Sequence, residues 1–311
     1  MASPLVSVLT AAYRSDATHL RAALQSALGQ SCTDFEVVVS DDSPDDRLRD
    51  LVESLGDSRI RYRINTPPLG VADNHARCLR DARGEYVVLL NHDDTLEPTF
   101  LEQLMAPLQA DGSLALAFCD HWIINARGER NAAETDAASR RYGRAHLAPG
   151  AHRPFFRLLL NQTIPMAMGT MFRRLALVDS MPPQAGPAYD LWLAYLLCRH
   201  GMGAFYVRER LSSWRSHPTN LTSAGDIRLL DGAASCWAAV ARDPAMSSVR
   251  KSARVRESRA YYACSRWHRR HRATGQSLSY AWRSLRTDVN WRALALCARN
   301  LLPWEPRSAI R

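Results

Sequence analysis

The sequence predicts an α/β protein built on a doubly wound, mostly parallel sheet. Three short apolar runs predict strands, and polar residues follow each run at its carboxyl end. The runs cover residues 5–9, 35–40 and 86–90. One-sided helical patterns lie between the runs, and strands that alternate with helices are typical of parallel sheets.

The first two strand–helix units show this alternation most clearly. Leu20, Leu24 and Leu28 recur every fourth residue after the first run, and Gly29 follows where it can end that helix. After the second run, residues 48–55 repeat the one-sided pattern. Each of these strands is therefore followed by a segment that can cross back to the start of the next strand.

The third run ends in an acidic segment at residues 91–94, which includes Asp93 and Asp94. Open α/β sheets bind ligands beyond the carboxyl ends of their strands, which is where these carboxylates fall. Adjacent carboxylates repel each other, and such pairs often meet a divalent cation held by oxygen ligands. A second acidic pair, Asp41 and Asp42, follows the second run. A solvated surface turn is the alternative for either pair.

In their order and spacing, these segments resemble family 2 glycosyltransferases of the GT-A fold. The resemblance is close from residue 4 to about residue 120 and looser from there to about residue 222. It is carried by residues 6–13, 24–31, 35–43 and 84–94, together with Gly70 and Asn74. It implies a Rossmann-like GT-A domain, here followed by a C-terminal helical extension.

The resemblance implies an inverting, metal-dependent enzyme that transfers a sugar from a UDP- or dTDP-sugar to an acceptor hydroxyl. The implied cofactor is Mn²⁺ or Mg²⁺, which suits carboxylate and phosphate oxygens. Asp94 is then the direct metal ligand, Asp93 holds the metal's waters or the ribose, and His217 is the candidate third ligand. Glycan, lipid-linked and natural-product acceptors all stay open.

The same resemblance places the nucleotide at the ends of the first two strands. Asp42 is expected to accept a hydrogen bond from an N–H of uracil or thymine, and Thr10, Ala12 and Tyr13 are expected to line the same slot. Asn74 is expected to reach the base or the ribose. Helix capping by Asp42 and a surface helix start at Asn74 are the alternatives.

Two positions depart from the pattern of the family. Asn91 stands where family members often carry Asp, and Ala188 stands where the catalytic base is usually found. Asp190, two residues further on, is therefore predicted to be the general base, which must lie within hydrogen-bond reach of the acceptor proton. The departures also motivate an alternative, a catalytically idle GT-A domain that acts as a binding or scaffold subunit.

Composition along the chain predicts two domains. Residues 1–225 are assigned to the GT-A domain, with a nucleotide-sugar half at 1–120 and an acceptor half at 121–225. Residues 226–311 are assigned to a basic, Ala/Arg-rich helical tail. Within the acceptor half, the polar stretch 126–150 predicts a long loop.

The tail carries the positive excess of the chain. Residues 1–247 hold 25 Arg and 28 acidic residues, whereas residues 248–311 hold 15 basic and 3 acidic residues. One predicted helical face is apolar and comprises Trp291, Leu294, Ala295, Ala298, Leu301 and Leu302. Basic amphipathic helices either lie on anionic membranes or pack on their parent domain, and both interpretations stay open. No nucleic-acid-binding module is recognisable.

Cysteine use and hydropathy favour a cytoplasmic protein, with a peripheral position on the inner face of the plasma membrane as the alternative. The seven cysteines are widely spread and show no metal-ligand spacing, which favours free thiols. No stretch approaches the ~18 apolar residues of a membrane span, and the N-terminus lacks a signal-peptide pattern. Lys251 is the single lysine, a bias typical of a GC-rich bacterial genome.

Overall fold

The structure is a computed structural model that describes residues 3–217, 225–288 and 291–300. The chain divides into two compact units, Met1–Ala224 and Gly225–Arg311. Within the described residues, the first unit contains a nine-stranded sheet with helices, and the second unit is helical.

Four parallel strands form one half of the sheet, in the spatial order β3-β2-β1-β4. They are β1 Val6–Ala12, β2 Phe35–Asp41, β3 Ile60–Ile64 and β4 Tyr86–Leu89. β2 and β4 are buried along their whole length, and the burial of β4 explains why its sequence is continuously apolar. The predicted parallel α/β arrangement is confirmed in this half.

Helices follow these strands, as the alternating pattern predicted. They are α1 Ala17–Leu28, α2 Arg47–Glu53, α3 Val71–Asp81 and α4 Phe100–Ala110. The side chain of Asp16 caps α1 by accepting from the backbone N–H groups of Thr18 and His19. α1 ends at Gly29, and its buried residues are Leu20, Ala23, Leu24 and Ala27.

The other half of the sheet is mixed. Its strands are β5 Thr95–Leu96, β6 Leu114–Ile124, β7 Gly150–His152, β8 Thr170–Arg173 and β9 Gly203–Arg215. β8 is antiparallel to both β4 and β6 and so joins the two halves, while β6 and β9 run parallel. β5 pairs with Ser212 and Ser213 of β9, which brings the end of β9 close to the acidic segment after β4.

The prediction of a long loop over residues 126–150 is wrong in the middle of that range, where Ala132–Arg141 forms helix α5. The only buried residues of α5 are Thr135 and Ser139, and Ser139 donates to the Asp120 carboxylate at 2.8 Å. A helix that buries small polar residues leaves no apolar period in its sequence, so the periodicity that revealed α1 was absent here.

Helices α6 Phe156–Leu160 and α7 Tyr189–Cys198 complete the described part of the first unit. The predicted buried helix is confirmed as α7, in which every residue except Asp190 is buried. A helix that is apolar on all sides belongs to a protein interior, so its single exposed carboxylate requires a separate explanation.

The second unit consists of α8 Ile227–Arg242, α9 Arg250–Arg270, α10 Thr274–Thr287 and α11 Trp291–Asn300. Buried serine pairs join α9 to α10, with Ser258 beside Ser284 and Ser265 beside Ser277. None of the described helices is long and apolar enough to span a bilayer. Leu301 and Leu302 of the predicted apolar face lie outside the described residues.

Candidate active site

The carboxyl ends of β1, β2 and β4 meet at one edge of the sheet. In the parallel register, Ala12 of β1 lies beside Asp41 of β2, and Leu9 lies beside Leu89 of β4. Neighbouring strands are about 4.8 Å apart, so the ends of β2 and β4 are separated laterally by about 10 Å. One extended ligand can therefore reach both acidic segments from this edge.

Asp42, at the end of β2, organises the loop between β3 and α3. Its carboxylate is buried, and each oxygen accepts a hydrogen bond from that loop: Oδ1 from Asn65 Nδ2 at 2.9 Å, and Oδ2 from Gly70 N at 2.7 Å. The φ angle of Gly70 is +88°, a left-handed value that favours glycine. Both oxygens of Asp42 are thus engaged within the protein.

Asn65 lies at the centre of this cluster. Its amide nitrogen also contacts Ser40 Oγ at 2.9 Å and Asn74 Oδ1 at 3.2 Å, while Asn74 Nδ2 donates to the carbonyl of Ala12 at 3.1 Å. These partners fix the orientation of the Asn65 amide. Its Oδ1 atom is therefore left as an acceptor without a partner among the described residues.

The residues predicted to line the nucleotide slot differ in their exposure. The Tyr13 side chain is 53% exposed, whereas Ala12 is completely buried; Leu69 in the β3–α3 loop, which was not predicted to line the slot, is 38% exposed. Thr10 is completely buried within β1, paired in register with Val39. Thr10 therefore packs inside the sheet and does not line an open slot, because its side chain is fully buried.

Asp93 of the acidic segment lies beside His217, which follows β9. His217 Nε2 lies 3.0 Å from Asp93 Oδ2, and both side chains are partly exposed. The ring of His19 stacks on His217 with 5.9 Å between ring centroids. A carboxylate and an imidazole thus face the same opening beside the start of α1.

Asp94 has the opposite environment. It is fully buried, and its two oxygens accept from Arg215 N at 2.8 Å and Asn91 Nδ2 at 3.1 Å. Burial, followed by the charge of Asp93, raises the pKa of the Asp94 carboxyl well above its ordinary value. Each oxygen of Asp94, the predicted direct metal ligand, thus accepts one hydrogen bond within the protein, and the metal-ligand role stays a prediction.

His92 lies between Asn91 and Asp93 in the acidic segment. Its Nδ1 atom is buried and has no hydrogen-bond partner among the described residues. Burial lowers the pKa of the imidazole, so the ring stays neutral at ordinary pH.

A hydrogen bond connects the acidic segment to the start of α7. The Tyr189 hydroxyl donates to Asn91 Oδ1 at 2.8 Å, and the Tyr189 ring stacks on His75 of α3 at 3.6 Å between centroids. Burial, followed by the charges of Asp190, Asp94 and Asp93, raises the pKa of Tyr189 well above its ordinary value. The Tyr189 hydroxyl therefore lies within electrostatic range of all three carboxylates.

Asp190, in the first turn of α7, is the one exposed residue of that helix. Desolvation by the surrounding protein raises the pKa of its carboxyl. Its Oδ1 accepts from the backbone N–H of Leu191 at 2.7 Å. Ala188, at the position where the family usually has its base, is buried and carries no titratable group.

The donor set fits a divalent metal that also binds a substrate. Among the described residues, no group of three or more His, Cys, Asp or Glu side chains is placed to hold a metal ion. Asp93 and His217 provide two ligands, and Mg²⁺ in phosphate-transfer sites is commonly held by one or two carboxylates plus substrate phosphates. A carboxylate with a neutral imidazole also suits Mn²⁺.

Comparison with known proteins identifies the family. Residues 7–178 match the family described as "Glycosyl transferase family 2". The chain belongs to this glycosyltransferase family. Its fold is similar to that of S. aureus TarS 1–349 in complex with UDP-GlcNAc, with a TM-score of 0.68 and 14% identity over 95% of this chain and 88% of that chain.

A second solved structure shares the fold of this enzyme. It is the mannosyltransferase PcManGT from Pyrobaculum calidifontis in complex with GDP-Man and Mn²⁺, with a TM-score of 0.57 and 19% identity over 96% of this chain and 79% of that chain. The expected GT-A fold and the expected family are thereby confirmed.

The curated relatives differ in how much of their length this enzyme covers. An uncharacterised glycosyltransferase of Rickettsia typhi is 24% identical over 222 residues, which are 71% of this chain and 67% of that protein. Chondroitin synthase of Escherichia coli is 35% identical over 127 residues, which are 40% of this chain and 18% of the synthase. An uncharacterised protein of Mycobacterium tuberculosis is 33% identical over 150 residues, 47% of this chain and 42% of its own.

Sequence reasoning missed Asn65, Tyr189 and Arg215. Arg215 donates its backbone N–H to Asp94 and its Nε to the carbonyl of Asp93 at 2.7 Å, so β9 fixes the acidic segment. The signals available were weak: Asn65 directly follows a strand that was not predicted, and Tyr189 directly precedes Asp190. Asn and Tyr at such positions are common in any turn or helix start.

Proposed function

We propose that the enzyme is a metal-dependent, inverting glycosyltransferase that transfers a sugar from a UDP- or dTDP-sugar to an acceptor hydroxyl. The observation that carries the proposal is the open Asp93–His217 pair, 3.0 Å apart, on the edge where the Asp42–Asn65–Asn74 cluster and Asp190 also lie. A nucleoside diphosphate that spans about 10 Å between the ends of β2 and β4 would contact both ends.

The nucleobase is assigned to the slot between Tyr13 and Leu69. Asn65 Oδ1 is the acceptor for the imide N–H of uracil or thymine, because the oxygens of Asp42 are both engaged within the protein. Asp42 and Asn74 hold the amide in place. The predicted base contact thus passes from Asp42 to Asn65, and Asp42 becomes a positioning residue.

Asp93 and His217 are the residues that would hold Mn²⁺ or Mg²⁺. The metal would supply Lewis-acid neutralisation of the charge that develops on the diphosphate leaving group. Asp94 and Arg215 position these two ligands from inside the protein. TarS with UDP-GlcNAc and PcManGT with GDP-Man and Mn²⁺ support a nucleotide-sugar donor and a divalent metal for this fold.

Asp190 is assigned as the general base. Its carboxylate takes the proton of the acceptor hydroxyl while the acceptor oxygen forms a bond to the anomeric carbon of the donor sugar. The bond from that carbon to the diphosphate breaks on the opposite side, so the configuration inverts and the nucleoside diphosphate leaves. A base works best with a pKa close to the working pH, which the raised pKa of Asp190 favours.

A thermal-shift screen with UDP, dTDP and GDP, each with and without Mn²⁺, tests the binding assignments. We expect stabilisation by UDP or dTDP that requires Mn²⁺ in the native enzyme and is lost in Asp93→Asn. Asn65→Ala should abolish the preference for UDP over GDP. The matched control is Asp45→Asn, which removes an exposed carboxylate after β2. Metal-dependent stabilisation of Asp93→Asn equal to that of the native chain would contradict the metal assignment.

A second candidate function is motivated by Ala188, which leaves the usual base position without a titratable group. In this alternative the chain is a catalytically idle GT-A domain that binds or scaffolds other proteins. Release of UDP from a panel of UDP-sugars in the presence of Mn²⁺ separates the two. Metal-dependent release that Asp190→Asn abolishes supports the enzyme, and nucleotide binding without any release supports the idle domain.

A further inference from the structure

The second unit has a strong and uncompensated positive charge. Residues 225–311 contain 17 basic and 6 acidic residues. Three of the acids described in this unit are engaged within it: Asp226 pairs with Arg228 at 2.6 Å, and Glu257 lies 3.5 Å from Arg242. Asp231 accepts from the Tyr280 hydroxyl at 2.7 Å. Little carboxylate remains to neutralise the arginines of α9 and α10.

Three of these arginines form a line along α9. Arg259, Arg266 and Arg270 are exposed, and spacings of seven and four residues place them on one face of a helix. At 1.5 Å per residue, the line is about 17 Å long. Among the described residues no carboxylate pairs with any of the three. Such a row of guanidinium groups matches an extended anionic surface better than a single small anion.

The neighbouring helix α10 adds an aromatic residue to the same kind of pattern. Its exposed face, here called the α10 face, consists of Ser279, Trp282, Arg283 and Arg286. These residues are spaced three, four and seven apart, as on one side of a helix. The opposite side is buried against α9 through serine hydrogen bonds at Ser277 and Ser284. The α10 face is therefore not the side that stabilises the unit.

Trp282 is 56% exposed, although tryptophan is highly buried on average. Arg283 lies 5.9 Å from the Tyr261 ring of α9 and 5.3 Å from the Tyr280 ring, so its guanidinium lies beside two aromatic rings. In α11, Trp291 is 73% exposed and Leu294 is 52% exposed, and Arg292 is exposed beside them. Large apolar and cationic side chains thus alternate on the surface of this unit.

We propose that the α10 face docks the enzyme on a bilayer that contains anionic phospholipids. Arginine is attracted by the phosphate groups of such a surface, and tryptophan partitions into the interface between head groups and acyl chains. The proposal concerns where the enzyme works and does not depend on the donor, the metal or the base.

The apolar residues favour a bilayer over a soluble polyanion. A polyanion is satisfied by the arginines alone and gives Trp282 and Leu294 no apolar partner. A bilayer accepts both kinds of side chain, because charged head groups lie directly above hydrocarbon. The arginine and tryptophan contributions are expected to be separable, since each acts on a different layer of the membrane.

Co-sedimentation of the full chain with lipid vesicles tests the proposal. We expect binding to vesicles of phosphatidylcholine mixed with phosphatidylglycerol, and at least about tenfold weaker binding to pure phosphatidylcholine. The double variant Arg283→Glu, Arg286→Glu should weaken binding to the anionic vesicles at least about tenfold, and Trp282→Ser by about fivefold. High salt should weaken vesicle binding by the native chain. At high salt, the charge reversal should have little further effect on binding.

Matched controls exist in the first unit. Arg47 and Arg127 have exposed side chains, so Arg47→Glu with Arg127→Glu changes the net charge by the same amount elsewhere. Leu175→Ser, at a residue that is 79% exposed, is the control for the loss of an exposed apolar side chain. Circular dichroism checks that every variant keeps its helical content.

Three results would overturn the proposal. Equal sedimentation with neutral and anionic vesicles would show that charge does not guide binding. Equal losses of vesicle binding in the Arg47/Arg127 control variant and in the Arg283/Arg286 variant would show that only net charge matters. If Trp282→Ser binds vesicles as well as the native chain does, and inorganic polyphosphate displaces the native chain from vesicles, the α10 face would be assigned to a soluble polyanion instead.

Discussion

Two acidic pairs follow two strands of the same sheet, and the structure gives their carboxylates different environments. Asp41 and Asp42 after β2 are both buried, and their oxygens accept hydrogen bonds from the protein itself. After β4, Asp94 is buried and engaged in the same way, but Asp93 is open and faces His217. The comparison teaches that, of these four carboxylates, only Asp93 is not enclosed by the protein.

The largest effect is expected at the open carboxylate. Asp93→Asn should lower metal-dependent transfer or donor hydrolysis by about 1000-fold, since a metal that stabilises transition-state charge contributes several kcal/mol. The fold should be unaffected, because Asp93 is partly exposed. Rates measured over a range of Mn²⁺ concentrations test this. A variant that regains full activity at high Mn²⁺ would reduce the role of Asp93 to metal affinity.

The next effect concerns the base. Asp190→Asn should lower the rate by about 100-fold, the lower range for loss of a general base. In the native enzyme the rate should rise with pH as the Asp190 carboxyl loses its proton, and this limb lies above the ordinary pH range of an aspartate because the pKa is raised. The limb should be absent from the pH profile of Asp190→Asn. An unchanged limb would assign the base to another residue.

The same raised pKa has a consequence for stability with a defined sign. Folding favours the protonated form of a carboxyl whose pKa is higher in the folded state than in the unfolded state. The contribution is complete below the unfolded pKa and is lost as the pH rises through the folded pKa. Asp190→Asn should therefore flatten the dependence of the free energy of unfolding on pH in that window, as denaturant titrations at several pH values can measure.

A smaller effect, on stability more than on the reaction rate, is expected at the buried carboxylate of Asp42. Asp42→Ala leaves the Gly70 N–H without its acceptor and releases Asn65, which should cost about 2 kcal/mol of unfolding free energy. For a unit of this size that is a fall in Tm of about 4 to 8 °C. Thermal unfolding of Asp42→Ala and Asp93→Asn side by side is the measurement. Equal falls in Tm in Asp42→Ala and Asp93→Asn would contradict the distinction between the acidic pair after β2 and the acidic pair after β4.

The smallest effect is expected where α7 meets the acidic segment. Tyr189→Phe removes the hydrogen bond to Asn91 and should cost about 1 kcal/mol of stability and a few-fold in rate. Asn91→Asp restores the residue that the family often has, but places a third carboxylate beside Asp94. We therefore expect Asn91→Asp to be less stable than the native chain at neutral pH. A more stable Asn91→Asp variant would contradict this account of the departure.

Local patterns in the sequence predicted β1, β2 and β4, their alternation with helices, and the positions of both acidic pairs, whereas β3 was missed. These features depend on side-chain periodicity and on residues that are adjacent in the chain, so they can be read without knowledge of long-range contacts. α1 with its end at Gly29 and the buried helix α7 were predicted for the same reason. Helix α5 was missed because it buries Thr135 and Ser139 and has no apolar period.

Only the tertiary structure decided which carboxylates are open. His217 approaches Asp93 across 124 residues of sequence, and Arg215 closes Asp94 from the same strand. Asn65 is placed beside Asp42 by a loop whose path no local pattern describes. Adjacent aspartates look equivalent in a sequence, whereas their accessibility and hydrogen-bond partners are set by distant segments that fold against them, and those partners determine which oxygen can meet a cation.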